Sequence, residues 1–208
     1  MFQELRPKIQ ECGTTLIEII VVVFITVIFS SILISNFPEI LRQFALSRVT
    51  YKLAQDIRKT QNWGASGVLI AEEIDGQSQQ IMAKGYGVYI NLVSSWQYII
   101  YADRGESPNF KYDGNSQLCS QNLFPFEDCV IETINIALGN PDLYIKEIIN
   151  IGYGYSFTSM NFSPPNPNTS IDNLGFGSNQ VGIVVGSLSE ASLSKTVWVN
   201  TAGLIRIE

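Results

Sequence analysis

From Leu16 to Ile34 the chain carries no charged residue except Glu18, and this run limits what the rest of the molecule can become. Thr14–Phe37 is 24 residues long, which as a helix spans about 36 Å against a hydrocarbon core of about 30 Å. Its Ile, Val and Phe favour strands, but a lone strand in lipid leaves its backbone groups unpaired, so a helix is predicted. A cleaved secretory signal has an apolar core of about 7–15 residues ending at small residues. Here the run is longer, and Asn36-Phe37-Pro38 makes a poor cleavage site. The segment is therefore expected to stay attached as a membrane span.

Composition narrows the remaining choices. With 208 residues there is room for one globular domain and one extra element. Residues 64–208 carry 14 acidic and 6 basic side chains, a net of −8. Residues 39–63 set Arg42, Arg48, Lys52, Arg58 and Lys59 against Glu39 and Asp56, a net of +3. An acidic main domain argues against a nucleic-acid partner, because phosphate binding needs a basic footprint. The basic stretch reads as a solvated helix face or one lying near anionic headgroups. The chain has no histidine, which removes the commonest general base and most zinc sites. No nucleophile–base pair or phosphate loop can be assembled: Ser66, between glycines, lacks the strand–turn–helix context of a hydrolase elbow. An enzyme is not expected, and no cofactor is implied.

An acid inside a spanning helix costs about 3 kcal/mol unless it is paired or protonated. On geometry alone Glu18 reads as a residue near the end of the span that reaches for the interface. Its neighbours add a second reading. Cys12-Gly13-Thr14-Thr15-Leu16-Ile17-Glu18-Ile19-Ile20-Val21-Val22-Val23 resembles the processing site of type IV prepilins and type II secretion pseudopilins. In that family a short basic leader ends in glycine, a membrane peptidase cuts after it, the new terminus is methylated, and a glutamate stands fifth in the mature chain. The resemblance implies a leader over residues 1–13 carrying Arg6 and Lys8, cleavage between Gly13 and Thr14, methylation at Thr14, and Glu18 as the family glutamate. The chain departs at Thr14, where the family most often has phenylalanine, and at Pro38, where the family proline usually comes slightly earlier.

Cleavage would place an ammonium on Thr14, one turn from Glu18 on the same helix face. In a bundle of parallel helices that ammonium can meet the Glu18 carboxylate of a neighbour, and burial makes pairing reward one axial register. The expected partners are other pilin or pseudopilin subunits through their amino-terminal helices, the prepilin peptidase and methyltransferase, the inner-membrane assembly platform, and the membrane itself. Basic residues flank the span about equally, so charge does not set orientation. The resemblance implies a single pass in the cytoplasmic membrane with the carboxy-terminal domain outside.

Pro38 interrupts helix hydrogen bonding, so a kink or restart is expected there. Residues 38–64 then read as an amphipathic helix, with Leu41, Ala45, Val49, Leu53 and Ile57 recurring every four residues and Asn62-Trp63-Gly64 as its end. Residues 65–208 read as strands: Val68–Glu73, Gln80–Asn91, Trp96–Ala102, Ile145–Ile151, Gly154–Phe162, Val181–Gly186, Thr196–Asn200 and Leu204–Ile207. Asp75-Gly76 signals a hairpin, and the proline-rich Ser163–Ser178 a long loop. One long helix followed by strands implies an α+β fold, an antiparallel β domain packed on the second half of the helix. Leu53–Lys59 with Gln61, Gly85–Tyr89 and Val197–Ile207 also resemble the minor pseudopilin H group, which leans towards a minor subunit.

Two further sites are candidates. Cys119 and Cys129 bracket an eleven-residue loop in a domain placed by the resemblance where disulfides persist, and a bridge is expected over two free thiols. Asp103, Glu106 and Asp113 lie among turn glycines, and some relatives hold calcium in loops of similar chemistry. The spacing is not that of an EF-hand, so plain acidic turns are preferred to calcium at Asp103 and Asp113. Glu127 and Asp128 read as a solvated loop. The filament subunit is set against an alternative, a single-pass anchored binding or adhesin domain that does not assemble.

Overall fold

The computed structural model describes residues 15–74, 77–104, 111–114, 117–119, 128–164 and 168–208. The chain divides into two compact units between Arg42 and Gln43. One helix, α1 (Leu16–Ser66), contributes to both.

The first unit is helical from Leu16. Between Leu16 and Ile34 its large apolar side chains are 44–78% exposed. By length and composition this segment can cross a membrane. Thr26 Oγ1 donates to Val23 O at 2.8 Å, Ser30 Oγ to Thr26 O at 2.7 Å and Ser31 Oγ to Val27 O at 2.9 Å, so the hydroxyls are satisfied within the helix. The helix is not restarted at Pro38, which lies inside α1. A proline removes one i to i−4 bond, and the turns on either side keep the helix in register.

In the second unit α1 buries Leu46, Leu53, Ala54 and Ile57 completely. Their spacing of seven, one and three is a helical stripe. The helix does not end at Gly64, as its sequence suggested. A Cβ on Gly64 would meet Phe162 O at 2.3 Å, so this glycine lets the helix approach a strand. The stop is Gly67, at φ +59°, whose N–H donates to Trp63 O at 2.9 Å, with Val68 N–H on the same carbonyl at 3.5 Å. This left-handed turn gives the Trp63 carbonyl its partners and favours glycine.

Among the described residues eleven strands follow. They are β1 (Leu69–Ile74), β2 (Gln77–Met82), β3 (Gly85–Asn91), β4 (Gln97–Asp103), β5 (Cys129–Asn135), β6 (Leu143–Ile149), β7 (Phe157–Ser163), β8 (Asn168–Ile171), β9 (Gln180–Ser187), β10 (Ser194–Asn200) and β11 (Ile205–Ile207). They form three antiparallel sheets, ordered β1-β2, β11-β10-β9-β6 and β5-β4-β3-β7-β8. The core joins the helix stripe to both larger sheets, through Val88, Ile100 and Met160 on one and Ile145, Ile183 and Val197 on the other. The α+β reading holds, and the antiparallel β domain comprises three sheets among the described residues.

Three sequence assignments change. Gln80–Asn91 is two strands, broken at Ala83-Lys84, where Lys84 N–H leaves the hairpin to bond Asp103 O at 2.8 Å. The proline-rich loop contains β8, whose four residues extend because they pair with the edge of β7. A strand that the sequence reading lacked, β5, pairs with β4 through a bulge at Ile100/Tyr101.

Candidate functional site

The amino-terminal site is built on the first turn of α1. Glu18 is its acidic residue. Thr15 stands before the helix, and Glu18 N–H donates to Thr15 O at 3.1 Å and Thr15 Oγ1 at 3.4 Å. Thr-x-x-Glu is the capping-box pattern, so the Thr15 hydroxyl takes up one orphan donor while the acid sits at the positive end of the helix dipole. Glu18 thus has a local role that the sequence reading missed, though the spacing Thr15 to Glu18 signals it. The carboxylate remains exposed beside an apolar surface. Gly13 and Thr14 lie outside the described residues.

A second polar site lies on the outer face of the five-stranded sheet. Tyr101 on β4 lies across β3, where a Cβ on Gly87 would meet its Cζ at 2.4 Å. Its hydroxyl hydrogen-bonds Ser159 Oγ at 2.5 Å. Asn161 Nδ2 donates to Tyr101 Oη and to Asp103 Oδ2, both at 3.4 Å. Tyr101, Asp103, Ser159 and Asn161 are all buried. Burial pushes the Tyr101 hydroxyl up, against the lowering effect of its hydrogen bonds.

Asp128 closes this cluster and corrects the solvated-loop reading. It is 1% exposed, and its Oδ2 accepts from Asp113 N–H at 2.9 Å. Burial raises its carboxyl from the ordinary 3.8 to about 7, and the charges of Asp103 and Asp113 add to the rise. The candidate residues Asp103 and Asp113 therefore act electrostatically on one carboxyl. Among the described residues no group of three or more His, Cys, Asp or Glu is placed to hold a metal ion. Glu106 lies outside the described residues.

Cys119 and Cys129 are joined in a disulfide, with Cα atoms 4.8 Å apart. The bridge and Cys129 sit in a small apolar cluster with Ile70, Ala83, Tyr86 and Ala102, so the residue next to Asp128 is anchored to the core.

Two exposed aromatics form a third feature. Tyr153 and Phe176 are fully exposed on loops pinned together by Gly152 N–H to Asn173 O at 2.8 Å and Gly175 N–H to Asn150 O at 2.7 Å. No family model, curated protein or solved structure matches this chain.

Proposed function

We propose that this chain is a subunit, of the minor kind, of a pilin-like filament: a type IV pilus or a type II secretion pseudopilus. It is cut after Gly13, held in the cytoplasmic membrane by its amino-terminal helix with the β domain outside, and assembled through that helix. One observation carries the reading. Apart from Glu18 and three hydroxyls bonded within the helix, the Leu16–Ile34 segment is apolar on every side and exposed at every large apolar side chain, so lipid or like helices must cover it. A bundle of parallel copies gives each Glu18 a Thr14 ammonium to pair with, and an unpaired buried acid is costly enough to select that register.

The test is the amino terminus of the protein isolated from membranes. A mature species starting at Thr14 supports assembly; a chain still carrying residues 1–13 refutes it. Glu18→Leu is expected to leave membrane insertion intact and to lower incorporation into filaments at least about tenfold. Wild-type incorporation of that variant would remove the register role.

The anchored display domain is the second reading, and Tyr153 and Phe176 favour it. Exposed aromatics on pinned loops are contact residues of low ordering cost. An intact leader together with loss of a binding activity in Tyr153→Ser would select it over the filament.

A further inference from the structure

Among the described residues, β1 and β2 pair only with each other, and β5 pairs on its outer side only at Val130. The hairpin forms a sheet of its own, paired from Leu69↔Met82 to Ile74↔Gln77. An isolated two-stranded hairpin is marginal in water and offers two unpaired edges. Its root is anchored through Ile70, with Ile81 packed on the same cluster. From Val68 to Met82 the sequence holds Glu72, Glu73 and Asp75 and no basic residue.

The edge of β5 is its counterpart. β5 ends the five-stranded sheet, and among the described residues only Leu118 bridges it on the outer side, at Val130. Ile136 N–H bonds inward to Trp96 O at 2.7 Å. The antiparallel alternation then turns the N–H and C=O groups of Thr133 and Asn135 outward. Beside this edge lies a groove of about 510 Å³ between β5 and the helix residues Arg48, Val49 and Lys52. Within this unit, helix cations next to the groove are largely engaged: Lys52 pairs Asp56 at 3.2 Å and Lys59 pairs Glu132 at 3.6 Å. Arg48 lines the groove, exposed and with no partner among the described residues.

We propose that the β1-β2 hairpin of one subunit docks along the outer edge of β5 of the next, in the groove beside Arg48. The inference rests on the filament reading and supplies its contact outside the apolar helix. The occupant is a second copy, because among the described residues the groove presents an unpaired cation and an open stretch of strand edge, while the same chain carries a strand pair of acidic sequence whose outer edges are open. Strand addition gives affinity through the backbone, and charge selects the segment. The surfaces differ on the two subunits, so the contact is head-to-tail and propagates, as a filament requires.

A photo-reactive benzoylphenylalanine at Thr133, in the full chain expressed in its native membrane, tests this directly. The expected product is a cross-linked dimer whose joined peptide falls within Leu69–Met82. Arg48→Glu is expected to lower its yield about tenfold, and adding Glu72→Lys and Glu73→Lys to restore most of it. Absence of the dimer, or a cross-link to lipid, to a foreign protein or to another part of this chain, overturns the proposal. The amino terminus is read on the same sample. A Thr14 start without the hairpin cross-link refutes the docking alone, whereas an upstream start refutes the filament reading and the docking with it.

Discussion

Asp128→Asn separates the charge of the buried carboxyl from its shape. In the folded protein the group titrates near 7, against an ordinary 3.8. Between those values the unfolded chain has released the proton and the folded chain keeps it, so the folded state binds more protons. Stability from this group is then fully present below pH 3.8 and is lost as pH rises through 7. About three pH units correspond to a ceiling of about 4 kcal/mol, and the effective dielectric of real protein sites reduces this to about 2 kcal/mol. Asparagine keeps an acceptor for Asp113 N–H, which bonds Oδ2 at 2.9 Å, and removes the charge. The variant should match wild type at pH 4 and exceed it by about 2 kcal/mol at pH 8, about 1 M in urea midpoint. Trp63 reports the transition, since it packs on Tyr86 at 5.8 Å within the Asp128-side cluster. Other carboxylates titrate in both proteins, so the difference between the two pH profiles is the quantity to read. A difference that stays flat from pH 4 to 8, or a variant less stable than wild type at pH 8, refutes the argument.

Two other substitutions test the packing around this site. Cys119→Ser with Cys129→Ser removes a bridge of sequence separation 10, and unfolding monitored by Trp fluorescence should show a loss of about 3 kcal/mol; unchanged stability would mean the loop is held by other contacts. Gly87→Ala puts a methyl group 2.4 Å from the Tyr101 ring and is expected to cost about 1–3 kcal/mol in urea unfolding, with Tyr101→Ala in the same background returning part of it.

Much of the architecture follows from residues near one another in the chain. The Leu16–Ile34 run, the helix stripe through Leu53 and Ile57, and β4 with its Trp96–Tyr101 stretch are written in local periodicity, which a single element obeys on its own. A glycine after a helical stripe signals a cap, and only the strand against Gly64, where an added Cβ would meet Phe162 O at 2.3 Å, reveals its other use. β5 and β8 were missed for a related reason. They are extended because β4 and β7 offer them edges.

Sequence alone determined the membrane-length helix, the order of helix then strands, and the absence of histidine chemistry, because hydrophobic length and composition act without reference to distant residues. Tertiary structure alone decided that strands separated by tens of residues form three sheets, that Gly85 and Gly87 lie under Asn161 and Tyr101, and that Asp128 is buried among other acids. An acid beside a cysteine reads as solvated until a disulfide and a sheet remove its water, and desolvation is a property of the assembled surroundings rather than of the residue.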